Sequence, residues 1–327
     1  MPVPYMGSKR KSSGMIYQAI KNHNPKATVL VDLFCGGFAI SEYFMKQGWQ
    51  TISNDKNKYV VALINQTVNI GLDEKKCLEF VTRDLFFDVT KNSHKYDDWY
   101  VGYVSCIWSF GNTQTNYLFG KDTEPYKKAG HELVVNCNPE LINQLGFNIP
   151  QKYIDGIIKQ KNWHLRRMAL LKVTKALKTR IFELEQLEQL QRLERLQQLQ
   201  QLQQLERLEQ LEQLERLEPV KLTSLSYDEV DISENAIIYC DPPYKGTAEY
   251  KEGNFDHAKF WDWVRNKSKT HKVYVSEYQA PDDFEAILSF EQKSTLQSGN
   301  QKHNNQPKEC LFRYKNVFEG IKNTEIL

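Results

Sequence analysis

Short apolar runs and amphipathic stretches alternate at both ends of the chain, and a strict leucine triplet fills the middle. Residues 29–34, 50–53, 236–240 and 272–276 read as short strands. Residues 39–46 and 58–70 read as helices. In 255–264, Phe255, Phe260, Trp261 and Val264 fall at helical spacing and belong to a core rather than to a site. The tail around Phe312-Arg313-Tyr314 reads as a last strand that ends the sheet. Strands alternating with helices predict an α/β fold. Residues 71–180 carry few clean periodic patterns.

Between Leu184 and Leu217 leucine recurs at every third position, twelve times, with Glu, Gln and Arg between. The composition favours helix, and neither Gly nor Pro interrupts it before Pro219. At 3.6 residues per turn a period of three moves each leucine about 60° around the axis, so no single face is apolar and a coiled-coil seam is excluded. The expectation is a helical arm about 50 Å long if straight. Its leucines need cover from a partner protein, from a second copy through self-association, or from the chain's own fold. The repeat reads as an insertion that is dispensable for chemistry, so that deleting 187–216 should spare activity.

A chain of 327 residues, 40% hydrophobic and 12% aromatic, can bury one large core plus a smaller domain. The net charge of +2 hides a segregation, because 183–218 holds nine Glu and four Arg, leaving +7 on the remainder. Eight basic residues and no acidic one lie between Lys159 and Arg180, interleaved with Trp163, His164 and Met168. That stretch suits contacts to DNA phosphates or forms a solvated helix face. Arg265, Lys267, Lys269, His271 and Lys272 make a second, weaker basic cluster.

Candidate chemistry concentrates in Asp241-Pro242-Pro243-Tyr244, directly after the apolar run 236–240. Loops at the carboxyl ends of α/β strands are where such sheets bind ligands. The prolines stiffen the loop and leave its carbonyls free to accept hydrogen bonds. The lone pair of a nucleobase amine is delocalised into the ring, which makes it a poor nucleophile. A fixed carboxylate and a proline carbonyl that accept its two hydrogens favour the pyramidal, reactive form. The aromatic ring offers a stacking face to a base drawn out of the duplex. Near the N-terminus, Val29-Leu-Val-Asp-Leu-Phe-Cys-Gly-Gly-Phe-Ala-Ile40 is a strand, a glycine turn and a helix start. Such a turn lets backbone approach a ligand beside an electropositive helix end. Asp55, about 20 residues on, suits a ribose hydroxyl acceptor, with a helix N-cap as its competing role.

These pieces, in this order, resemble the Dam-like, D12 class of N6-adenine-specific DNA methyltransferases. The resemblance rests on Tyr5-Met6-Gly7-Ser8-Lys9, the glycine turn, Asp55 and the Asp-Pro-Pro-Tyr loop. It implies a doubly wound, Rossmann-like fold with a mostly parallel sheet, and methyl transfer from S-adenosylmethionine to adenine N6 in double-stranded DNA by base flipping and direct attack. It implies catalytic Asp241, Pro242, Pro243 and Tyr244. Tyr5, Lys9, Asp32, Phe34, Gly36, Gly37, Asp55 and Tyr227 would bind the cofactor, Lys9 near its carboxylate. The implied layout is a cofactor-binding part at 1–74, target recognition at 75–180, the leucine insertion at 181–219 and a catalytic part at 220–327. Trp108-Ser109-Phe110-Gly111-Asn112 looks like a loop segment of relatives, followed by the polar 113–117. Two departures stand out. Phe38 occupies the third glycine position of the turn, and Ser226 stands where relatives carry an acid before the aromatic Tyr227.

The absence of a Pro-Cys dipeptide argues against cytosine-C5 methylation, and no zinc-deaminase signature or Cys-x-x-Cys spacing occurs. No metal is expected. With neither a signal peptide nor a long apolar span visible, the expected location is the cytoplasm, with no membrane partner. Other readings are an amino-methyltransferase acting on cytosine N4, RNA or a protein amide, and a non-catalytic DNA-binding or scaffold protein. An Asp241 buried in a salt bridge, or turned away from a cavity lined by Phe34 and Asp55, would require the enzyme assignment to be abandoned. The polar stretch 245–254 is expected to be a mobile loop near the substrate.

Overall fold

The computed structural model describes residues 3–147, 149–182, 197–198, 201–244, 255–290 and 308–315. The expected loop at 245–254 and the leucines from Leu184 to Leu199 lie outside the described residues. The chain forms two compact units, one of Met1–Gly71, Asp97–Gly102 and Leu211–Leu327, the other of Leu72–Tyr96 and Tyr103–Gln210.

The first unit is built on seven strands: β1 (Val29–Asp32), β2 (Gln50–Asn54), β3 (Lys221–Thr223), β4 (Ile237–Cys240), β5 (Lys272–Glu277), β6 (Phe284–Phe290) and β7 (Glu309–Tyr314). Their order in the sheet is β3-β2-β1-β4-β5-β7-β6. The β1–β5 pairings are all parallel, whereas β7 runs antiparallel to both β5 and β6. The tail strand is therefore last in the chain but not at the edge of the sheet; β6, which carries no clear strand signal in sequence, takes that place.

Alternating side chains explain why the central strands are apolar throughout. Leu30, Ile237, Tyr239 and Tyr274 point to one face, where they meet Ile16, Tyr17 and Ile20 of α1 (Ser13–His23) and Ile40 and Phe44 of α2 (Ala39–Lys46). Val31, Ile238, Cys240, Val273 and Val275 point to the other and meet Phe260, Trp261 and Val264 of the helix His257–Lys267. Helix α3 (Lys58–Asn65) is shorter than its sequence suggests, because Gln66–Ile70 widens into a π-type turn that Gly71 ends at φ 107°. The parallel order reverses direction on either side of β1, which opens a crevice at the carboxyl ends of β1 and β4.

The second unit is helical, its longest helices being Glu124–Asn136 and Trp163–Phe182. Part of the leucine repeat belongs to its packing. Leu202, Leu205 and Leu208 are buried here, as are Leu211 and Leu214 of the first unit. The last four of these leucines sweep about 180° around the helix Gln203–Leu214. Each of these leucines is buried while Gln203, Glu206 and Gln213 between them stay exposed, so the cover comes from the chain itself over this part. Polar residues of the repeat are also committed. Glu206 and Glu209 pair with buried Arg167 at 2.6 and 2.9 Å. Arg207 is half-buried and donates to the carbonyls of Cys106, Ile107 and Ser109 at 3.3, 2.6 and 2.9 Å, and to Asn112 Oδ1 at 3.2 Å. Deleting 187–216 would therefore remove buried leucines as well as the repeat.

The basic stretch is corrected in part. Arg167 is internal, and Arg166 donates to the carbonyls of Val134, Val135 and Gln160. Lys159, Lys161, Lys172 and Lys175 remain exposed. No helix among the described residues is long and apolar enough to cross a membrane.

Candidate active site

The crevice of the first unit is a cavity of about 460 Å³, within the range of small-molecule sites. The segment after β1 contributes Phe34, Gly36 and Gly37, and β2 leads into Asn54 and Asp55. The loop after β4 contributes Asp241, Pro242, Pro243 and Tyr244, and Tyr278 follows β5. Tyr5, Met6, Ser8, Lys9, Asp32 and Tyr227 complete the wall relevant here. All twelve residues singled out by sequence line this one cavity.

The glycine turn is shaped by close approach. Gly36 has φ 45°, and a Cβ on Gly37 would sit 2.4 Å from the Val3 carbonyl oxygen. Phe38, at the missing third glycine, adopts φ 73° while fully buried, so core packing maintains a left-handed backbone that glycine would adopt freely. Asp55 holds the turn: its Oδ2 accepts from the Gly36 N–H at 2.8 Å and its Oδ1 from the Asn57 N–H at 2.9 Å. The N-cap of α3 is Asn57, so Asp55 does not serve as that cap. Asp32 is 1% exposed; its Oδ2 accepts from Ser41 Oγ at 2.8 Å, while Oδ1 is buried with no partner among the described residues. Tyr227 stacks on Phe34 at 5.7 Å, and the neighbouring Asp228 is tied to Lys259 at 2.8 Å.

Lys9 departs from expectation. Its ammonium donates to Asp241 Oδ2 at 2.8 Å, Glu309 Oε1 at 3.2 Å and the Gly7 carbonyl at 3.3 Å. An ammonium has three hydrogens, and each has a protein acceptor within reach. Tyr244 also looks inward: its hydroxyl meets Asp241 Oδ1 at 2.9 Å and Glu309 Oε1 at 2.6 Å, and its ring meets the edge of Tyr278 at 4.8 Å. Asp241 thus does sit in a salt bridge, the condition set against the enzyme, yet its side chain keeps 17% exposure and faces the cavity of Phe34 and Asp55. Glu309 escaped the sequence reading. The one available signal for Glu309 was an acid at the first position of an apolar tail strand.

Burial raises the carboxyls of Asp32, Asp55, Asp241, Glu277 and Glu309 above their ordinary range, opposed by Lys9 at Asp241, Glu277 and Glu309. For Asp32 and Glu277 the push reaches about 7. A carboxyl that holds its proton more tightly when folded contributes stability that fades as pH climbs from its unfolded to its folded pKa. Relative to wild type, Asp32→Asn should therefore gain about 2 kcal/mol of stability between about pH 5 and pH 7. His131, pushed down to about 4 by burial, acts in the opposite sense but is present in both proteins and cancels. Urea unfolding across that range checks this; a constant difference between the two proteins would refute it.

The chain matches the description of the D12 class N6 adenine-specific DNA methyltransferases over residues 5–291. It belongs to that family. It is accordingly an enzyme, an adenine-specific DNA methyltransferase that uses S-adenosylmethionine. The mixed α/β unit with its seven-stranded sheet fits a methyltransferase fold. Of the chemistry-bearing residues described above, only Glu309 lies beyond the matched span of this methyltransferase.

Proposed function

We propose that the methyltransferase draws a target adenine out of the DNA duplex and methylates its N6 in the crevice between the glycine turn and the Asp-Pro-Pro-Tyr loop. The observation that carries this reading is the convergence of Asp241, Asp55 and Gly36-Gly37 on one cavity at the carboxyl ends of β1, β2 and β4. Asp241 accepts one hydrogen of the adenine amine, and the Pro242 carbonyl accepts the other. Pro243 stiffens the loop, and Tyr244 presents its ring to the extruded base.

The cavity suits S-adenosylmethionine. The glycine turn lets Val3 and Tyr5 approach closer than a Cβ would allow and so seats Tyr5 in the wall, and Phe34 and Tyr227 offer aromatic faces. Asp55 retains lone pairs for ribose hydroxyls. When bound, S-adenosylmethionine supplies a methyl group already activated by its sulfonium, which the base amine attacks directly. The acidic wall of Asp32, Asp55 and Asp241 complements a cationic ligand. Lys9 neutralises Asp241 without displacing it from the cavity and acts as a partner of that carboxylate.

Target recognition falls to the helical unit, whose loop at Phe110–Asn112 is fixed by Arg207 and exposes the Phe110 ring. The polar residues 113–116 beside it carry groups able to read base edges, and exposed Lys159, Lys161, Lys172 and Lys175 supply phosphate contacts. Digesting host DNA with methylation-sensitive nucleases, with and without expression of the chain, tests the function. Protection confined to sites containing adenine is expected; identical digestion patterns would overturn it.

A further inference from the structure

We propose that Glu309 is a positioning residue: a neutral carboxylic acid behind the cavity wall that fixes the direction of the Tyr244 hydroxyl and so keeps Asp241 an ionised acceptor for the base amine. The proposal rests on the reading of Asp241 given above. Glu309 opens β7, its side chain is 0% exposed, and it lies outside the family match at 5–291.

Lys9 and Tyr244 each bridge the same two carboxyls. Lys9 Nζ lies 2.8 Å from Asp241 Oδ2 and 3.2 Å from Glu309 Oε1. The Tyr244 hydroxyl lies 2.9 Å from Asp241 Oδ1 and 2.6 Å from Glu309 Oε1. A tyrosine hydroxyl owns one hydrogen. Were both carboxyls ionised, one of its two contacts would set lone pair against lone pair at hydrogen-bond distance. The array must therefore hold one more proton, on Asp241 or on Glu309.

Two observations assign it. Lys9 is closer to Asp241, which favours the negative charge there. Glu309 Oε2 is buried with no partner among the described residues, and an ionised oxygen so placed is costly, whereas the carbonyl oxygen of a neutral acid is much less so. Glu309 Oε1–H then donates to the Tyr244 oxygen, and Tyr244 donates to Asp241 Oδ1. The titratable groups that face Glu309 are Lys9, Asp241, Tyr239, Tyr244, Glu277 and Tyr278. Burial and the acidic neighbour Asp241 raise the Glu309 carboxyl and Lys9 opposes them, with a net upward direction. Without Glu309, Tyr244 would be free to turn its hydrogen away, and Lys9 would bear on Asp241 alone, tightening the ion pair that the amine must share.

Two variants and one spectrum test this. Glu309→Ala should lower kcat at least about tenfold while the KM for S-adenosylmethionine moves less than about threefold. Glu309→Gln keeps a neutral donor of the same shape, so it should recover most of that loss and shift the alkaline limb of the kcat–pH profile upward. Equal losses in both variants, or an unmoved alkaline limb, would overturn the proposal. Independently of activity, an infrared difference spectrum of wild type minus Glu309→Gln at neutral pH should contain one carboxylic-acid C=O band. Its absence would show Glu309 ionised and refute the assignment. If wild type methylates no DNA, the proposed function fails, and the infrared band still decides the state of Glu309.

Discussion

Asp241→Ala should lower kcat for methyl transfer by at least about 10³-fold while changing the affinity for S-adenosylmethionine less than about threefold. The split follows from position. Asp241 lies beyond the carboxyl end of β4, whereas the groups suited to the cofactor lie on the β1 and β2 side at Asp32, Gly36, Gly37 and Asp55. The variant should also fold, because Glu309 lies 3.2 Å from Lys9 and, once Asp241 is gone, can give up its proton and balance the buried ammonium. Isothermal titration with the cofactor and single-turnover transfer to DNA separate the two quantities. Loss of cofactor binding in step with turnover would make Asp241 a structural anion and remove it from the chemistry.

The second large effect concerns the leucine repeat. Leu208→Ala should destabilise the helical unit by about 2–5 kcal/mol, the usual cost of truncating a fully buried leucine. Arg207→Met should cost about 2–4 kcal/mol, because it leaves the carbonyls of Cys106, Ile107 and Ser109 buried without their donor. The two losses arise differently, one from a cavity and one from unsatisfied acceptors. Chemical unfolding followed by tryptophan fluorescence measures both, since Trp108 and Trp163 are buried in that unit. Wild-type stability in both variants would mean that the repeat is, after all, an appendage.

Local sequence carried much of the first unit. Runs such as Val29–Asp32 and Ile237–Cys240 are apolar on both faces because each strand is covered by helices on both sides, and that signal needs no tertiary knowledge. The glycine turn and the Asp-Pro-Pro-Tyr loop are contiguous motifs, and contiguous motifs survive reading in one dimension. What failed depends on distance. β6, Phe284–Phe290, mixes buried and half-buried positions because it is an edge strand, so its period is weak. The ion pairs of Lys9 escaped the sequence because its partners, Asp241 and Glu309, lie more than two hundred residues away in the chain. A helix wheel of the triplet repeat shows no apolar stripe and so leaves its cover open, whereas Leu202, Leu205, Leu208, Leu211 and Leu214 are covered by the chain itself. Arg167 looked like a DNA contact because its partners, Glu206 and Glu209, are supplied by that same repeat.

The most direct measurement is nucleoside mass spectrometry of duplex DNA incubated with the purified protein and S-adenosylmethionine. Wild type should produce N6-methyladenine and no other methylated nucleoside, and Asp241→Ala should produce none. N4-methylcytosine from wild type, or undiminished N6-methyladenine from Asp241→Ala, would contradict the account.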